Sequence, residues 1–174
     1  GFHRLGFEQA TRAYAPAARQ LIRQAGKSIH IMLYQARFYE EHPDSITNRI
    51  LDDLADAARR GVDVRILVDT GSWQPEKNDY NLAFVERLTT AGVQVWEDDP
   101  EEVSHQKVLL VDDEVTLIGS LNWTHYSVSQ NNEVAVIVYS RPLNEWFRGY
   151  YSERLKKARP YSNVEGSTRG TPRG

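Results

Sequence analysis

The chain contains no cysteine, which removes disulfide bridges and thiolate zinc sites from its chemistry. It has no run approaching the ~20 apolar residues that a transmembrane helix needs, so no bilayer crossing is expected. Gly1 rather than Met stands first, and the reading allows for a removed upstream signal or membrane anchor on an otherwise soluble domain. Positive charge is not in excess: 21 basic residues against 24 acidic give a net charge of −3. That is not the global footprint of a nucleic-acid binder. A local basic groove can still coexist with an acidic remainder, because salt confines each charge to roughly 8 Å. No internal repeat is visible, and the pattern His-x-Lys occurs once. Hydrophobic content of 40% and charged content of 26% over 174 residues fit one globular domain.

What is present is concentrated between His105 and Asn122, which reads HQKVLLVDDEVTLIGSLN. The runs Val108 to Val111 and Val115 to Ile118 are short and β-rich, and Asp112, Asp113 and Glu114 between them supply turn residues, so a hairpin is expected. His105 and Lys107 are two apart and share one face at the mouth of the first strand, while Gly119, Ser120 and Asn122 follow the second. The reversal brings an imidazole, an ammonium, a hydroxyl and an amide to one end of a rigid element, where a phosphate can be held and attacked.

The spacing His-x-Lys, four residues, Asp, six residues, Gly-Ser-x-Asn resembles the signature of the phospholipase D superfamily. The matching positions are His105, Lys107, Asp112, Gly119, Ser120 and Asn122, and the surrounding GSLNWT and QNNEVAVIV are similar to that superfamily's short, single-motif members. The resemblance spans Ala15 to Ala158. It implies an α/β fold with a mixed, largely parallel sheet flanked by helices on both faces, and one motif per chain.

The rest of the chain reads as support. Residues 1–14 are expected to be an edge strand or a linker remnant, 15–159 the domain, and 160–174, rich in Gly, Ser, Thr and Pro, a disordered tail. A helix is expected from Pro16 to Gly26, a two-sided buried strand over Ser28 to Tyr34, a helix from Ser45 to Gly61 and a strand over Val62 to Val68, giving a β-α-β unit with parallel strands. The loops after Tyr34 and Val68 leave strand ends. They nominate Arg37, Phe38, Tyr39 and Trp73 as substrate contacts, joined by Trp123 and Tyr126 after the motif. Asp98, Asp99, Glu101 and Glu102 form an acidic run without ligand spacing, read as solvated; no metal and no cofactor are assigned.

The chemistry these residues suit is phosphodiester cleavage. His105 attacks phosphorus through a ring nitrogen, Lys107, Asn122 and Ser120 hold the phosphoryl oxygens, and Glu133 fixes the histidine tautomer. One motif lacks a proton donor, and a two-fold copy of His105 supplies it most economically, so a homodimer sharing one site is expected. The resemblance implies the same arrangement, working without metal, with Asp112 and Gly119 as structural members of the motif. Nucleic acid is the favoured substrate, as for a metal-independent endonuclease. The alternatives are a phospholipase D or a cardiolipin-synthase-like phosphatidyltransferase acting on phospholipid, and an inactive nucleic-acid or lipid-surface binding module.

Overall fold

The structure, a computed structural model, describes the backbone of residues 7–70 and 75–161 and the side chains of 13–70 and 81–161. The elements run α1 (Phe7–Gln24), β1 (Ser28–Leu33), α2 (Ile46–Arg59), β2 (Asp63–Val68), α3 (Pro75–Thr90), β3 (Gln94–Glu97), β4 (Lys107–Val111), β5 (Val115–Gly119), α4 (His125–Ser129), β6 (Ala135–Tyr139), α5 (Arg141–Leu155) and β7 (Arg159–Pro160). They build a seven-stranded sheet in the order β6-β5-β4-β1-β2-β3-β7.

The sheet is mixed, but it is not largely parallel. Among the described strands only β1–β2 and β2–β3 run parallel, while β1–β4, β4–β5, β5–β6 and β3–β7 are antiparallel. Crossovers through α2 and α3 link the parallel strands β1, β2 and β3, whereas β4 and β5 are joined by a tight reversal that forces the opposite, and β6 and β7, reached through α4 and α5, also join their neighbours antiparallel. At the β4–β5 reversal, Asp112 and Asp113 both adopt positive φ, 51° and 60°, and the Glu114 N–H donates to the Val111 carbonyl at 3.1 Å. Two left-handed central residues make this a turn whose twist matches that of the strands.

Alternation along the central strands sends their side chains to two cores. Ile29, Ile31, Leu33, Leu109 and Val111 face the layer of α1, α2, α3 and α4. Met32, Leu67, Val108 and Leu110 face α5 through Tyr151, Phe147, Tyr150 and Leu155. Helices therefore cover both faces, four on one and one on the other. Among the described helices none is long and apolar enough to cross a membrane.

Several boundaries differ from expectation. Helix α1 starts at Phe7 and carries Pro16 inside it, so residues 7–14 are helical rather than an edge strand. Proline marks a first turn by preference, not by necessity. The tail begins later than expected, because Arg159 and Pro160 pair with Glu97 and Trp96 as an added edge strand. Pro160 is tolerated there since an edge strand need not donate on both sides. The remaining expected tail, residues 162–174, and Trp73 lie outside the described residues.

Candidate active site at the open end of the hairpin

The site is built where β1 ends and β4 begins. Leu33 pairs with Lys107, and the Tyr34 N–H donates to the Gln106 carbonyl at 3.0 Å, which sets Tyr34 beside the His105–Lys107 segment. The Tyr34 ring lies 4.4 Å from the His105 imidazole, tilted by 54°, and the Lys107 ammonium sits 4.9 Å from the same ring centroid. Lys107 is buried although charged, at 6% exposure; its Nζ donates to the His105 carbonyl at 2.9 Å. An aromatic face and a carbonyl partly replace the water an ammonium loses on burial. His105 is exposed. The pair thus presents a reachable imidazole above a buried cation.

Across the hairpin, Gly119 faces Ala135. A Cβ on Gly119 would stand 2.5 Å from the Val134 carbonyl oxygen and 2.7 Å from the Ala135 Cβ, so only glycine lets β6 come this close. The approach joins Ser120 to Glu133: the Ser120 hydroxyl donates to Glu133 Oε2, and the Val134 N–H donates to that hydroxyl at 3.1 Å. Asn131 Nδ2 donates to Glu133 Oε1 at 3.1 Å. Ser120 is therefore engaged in holding Glu133 and the start of β6.

Asn122 and Trp123 follow in an extended segment that bridges to the Tyr34 loop. Ala36 pairs with Trp123 in parallel, and the Trp123 N–H donates to the Gln35 carbonyl at 2.9 Å. Successive residues of such a segment point to opposite sides. Asn122 Oδ1 is buried with no hydrogen-bond partner among the described residues, the state expected of a group that serves a ligand. Trp123 points the other way. It is 1% exposed, its Nε1–H donates to Tyr14 Oη at 2.9 Å, and its ring meets the Phe84 edge at 6.1 Å. The expected substrate contact is a core residue.

The other nominated contacts gather in one place. Arg37, Phe38, Tyr39 and Tyr126 line a cleft of about 860 Å³ together with His125 and residues of the loop between them. The Arg37 guanidinium lies 4.9 Å from the Tyr39 ring, whereas Phe38 is capped by Arg87 at 4.5 Å and packs partly on the core.

Asp112 stands at the far end of β4, five residue steps or ~17 Å from Lys107. Its carboxylate accepts the N–H groups of Gly26 at 2.8 Å, Lys27 at 2.7 Å and Ser28 at 3.0 Å. Burial works against its charge, but these three donors hold the carboxyl below its ordinary value. Asp112 ties the hairpin turn to the α1–β1 connection, at the opposite end of β4 from His105 and Lys107.

The acidic run before His105 is not solvated as a whole. Asp98 has a fully buried side chain paired with Arg154 at 2.9 Å, and it takes the Ser104 hydroxyl as well. The Ser104 N–H donates to Asp69 Oδ2 at 2.7 Å. Glu102 binds Lys157 and Arg154, and those hydrogen bonds pull its carboxyl down to about 2. The residue next to His105 is thus clamped from β2, the β3–β4 loop and α5 at once. Arg154 and Asp69 escaped the sequence reading and Asp98 was read there as solvated, since nothing local reveals an ion pair between residues 56 apart. Asn81 escaped it too. Its amide accepts the Ala36 N–H at 2.8 Å and donates to the carbonyls of Tyr34 at 3.0 Å and Asp69 at 2.8 Å, locking the two loops that flank the site. A polar residue within an otherwise apolar helical face was the available signal. Tyr34, at the end of the strand SIHIMLY, carried a similar one.

Comparison with known proteins points the same way. The family model for the cardiolipin synthase, phospholipase-D-like domain matches residues 18–155. A cardiolipin synthase of Staphylococcus aureus is 31% identical over 152 residues, covering 80% of this chain and 28% of that protein. Cardiolipin synthase A of Pseudomonas putida is 32% identical over 109 residues, 59% of this chain and 21% of that protein. The chain thus spans under a third of these relatives' length. Among solved structures, the phospholipase D family member Nuc from Salmonella typhimurium superposes with a TM-score of 0.72 at 26% identity, covering 85% of this chain and 90% of that one. NucT from Helicobacter pylori has the same fold, with a TM-score of 0.69 at 17% identity and coverage of 88% and 94%.

Proposed function

The chain belongs to the phospholipase D superfamily of phosphodiesterases, and from that premise we propose that it is a metal-independent endonuclease acting on single-stranded or non-specific nucleic acid through a phosphohistidine. The observation that carries the phosphoryl chemistry is the placement of the exposed His105 imidazole and the buried Lys107 ammonium around one Tyr34 ring. A histidine nitrogen attacks phosphorus as the P–O bond to the leaving group breaks, while Lys107 and the Asn122 amide hold the phosphoryl oxygens. The leaving oxygen needs a proton. A second His105, brought by a two-fold related chain, supplies it and then takes a proton from the water that cleaves the P–N bond. The two imidazoles titrate as one system, one neutral and one charged. Glu133 orients a histidine of the shared site through its far nitrogen, and Ser120 holds Glu133 in turn.

The sheet edge supports a dimer. Strand β6 begins at the site, and Val134 just before it and Val136, Ile137 and Tyr139 along it are exposed, Tyr139 by 71%. An edge strand paired on one side only, with apolar side chains on both faces, is the surface that a second chain covers. Val136→Lys is expected to give a monomer by sedimentation and to abolish turnover.

Nucleic acid is favoured because the cleft beside Arg37 is lined by ionisable side chains, which an acyl chain does not tolerate. Phosphatidyl transfer is the second reading, supported by the likeness to cardiolipin synthases. The deciding experiment assays single-stranded DNA, RNA, phosphatidylcholine and cardiolipin side by side, with wild type and His105→Asn, with and without EDTA. Cleavage of nucleic acid by wild type alone, unaffected by EDTA, is expected. Turnover of phospholipid alone overturns the nuclease reading, and intact activity in His105→Asn overturns the nucleophile.

A further inference from the structure

The cleft that opens beside the catalytic end is framed by two tyrosine rings around one histidine. The Tyr39 and His125 centroids are 6.5 Å apart at 77°, and those of His125 and Tyr126 are 5.6 Å apart at 72°. The arrangement is fixed from below, because the His125 N–H donates to Tyr39 Oη at 2.9 Å and Thr124 caps the short helix that carries His125 and Tyr126. Tyr126 is nevertheless 63% exposed. A large aromatic held rigid and left in water is a stacking platform without its partner.

Charge narrows what that partner is. Arg37, whose N–H donates to the Trp123 carbonyl at 2.9 Å, stands beside the segment that carries Asn122, and Glu40 and Glu41 line the same cleft. One guanidinium beside two carboxylates disfavours a phosphate deep in the cleft and leaves Arg37, next to the Asn122 segment, as the group that meets one. The cleft volume of about 860 Å³ takes a flat heterocycle with room for water. A hydrocarbon tail would have to bury those carboxylates. A neutral ring with a π face and a polar edge meets every constraint.

We propose that the Tyr39–His125–Tyr126 cleft is a nucleobase subsite, in which the base adjoining the scissile phosphate stacks on Tyr126 and His125 while Arg37 holds the flanking phosphate. The inference rests on the nuclease reading and assigns His125 a role in substrate choice that the motif does not contain. It makes the enzyme selective for unpaired strands, since a base enters the cleft only when it is out of a duplex stack.

The test compares kcat/KM on a short single-stranded oligodeoxynucleotide with that on bis-p-nitrophenyl phosphate, which carries no base, for wild type, Tyr126→Ala, Tyr126→Phe and His125→Ala. The ratio of the two constants is expected to fall roughly 5- to 150-fold in each alanine variant. Tyr126→Phe, which keeps the ring, is expected to restore it. If wild type cleaves the oligonucleotide and the ratio does not change in the variants, the subsite is overturned while the nuclease reading stands. If wild type does not cleave the oligonucleotide but turns over phosphatidylglycerol vesicles, both fall together.

Discussion

Arg154 grips Asp98 with two nitrogens, Nη2 on Oδ1 at 2.9 Å and Nε on Oδ2 at 3.2 Å, across 56 residues of chain. Asp98 also takes the Ser104 hydroxyl, so a helix on one face of the sheet sets the backbone that presents His105. Burial opposes the guanidinium charge, yet the hydrogen bonds to Glu102 and Asp98 raise the Arg154 pKa above its usual value.

Removing that grip leaves a buried carboxylate without its cation. Arg154→Gln is expected to lower unfolding free energy by about 3–5 kcal/mol in urea titrations. Turnover of bis-p-nitrophenyl phosphate by the folded fraction should drop by up to about 100-fold, as a displaced reactive group would give. Arg154→Lys should recover only part of both, because an ammonium cannot make the fork.

Gly119→Ala addresses the opposite wall. The added methyl meets the Val134 carbonyl oxygen and must push β6 outward, at a cost of about 1–3 kcal/mol. Because the same shift parts Ser120 from Glu133, activity is expected to fall further than stability does. Chemical denaturation alongside kcat separates the two effects.

Asp112→Asn should behave in the reverse manner. The three backbone donors lose a charged acceptor, worth about 1–3 kcal/mol, while turnover per folded molecule stays near wild type. The folded carboxyl lies below its ordinary value, so its stabilisation is present above the unfolded pKa near 4 and is lost as pH falls through the folded value. The variant should therefore show a shallower acid limb below about pH 4 in unfolding measured against pH.

A second pH effect comes from the α5 side. His30 is buried, 5.0 Å from the Tyr151 ring, and burial first, then the Arg148 charge, pushes it down to about 4 against the attraction of Asp63. The unfolded chain binds this proton below about pH 6.5 and the folded chain only near 4. Stability contributed at neutral pH is thus lost between those values, by about 3 kcal/mol at one pKa unit per 1.36 kcal/mol. His30→Phe should flatten the slope of unfolding free energy over that window.

The parts of this molecule that were legible beforehand are those written locally. The Val108–Val111 and Val115–Ile118 runs gave the hairpin, and Ser45 to Gly61 gave α2 within a residue or two. The site residues at the hairpin mouth converge because strand periodicity and a tight turn leave them no other place. Trp123 was misread because its neighbour Asn122 faces the site, and one step along an extended chain reverses the face. Strand β7 depends on pairing across the whole chain, as does the Arg154–Asp98 pair, and no window of sequence contains both partners. The proportion of parallel strands depended on how many connections were crossovers, a count that the acidic loop before His105 concealed.

Asp112 lends the motif spacing a mechanical meaning. It is pinned by three amide groups at the base of the central strand, and Lys107 is pinned by the Tyr34 ring at that strand's other end. The four residues between them therefore act as a ruler cut to the length of β1. Inserting one residue in that interval would turn the ammonium to the opposite side of the sheet, and deleting one would pull it off the ring. The interval is a calibrated length, and the aspartate is its zero mark.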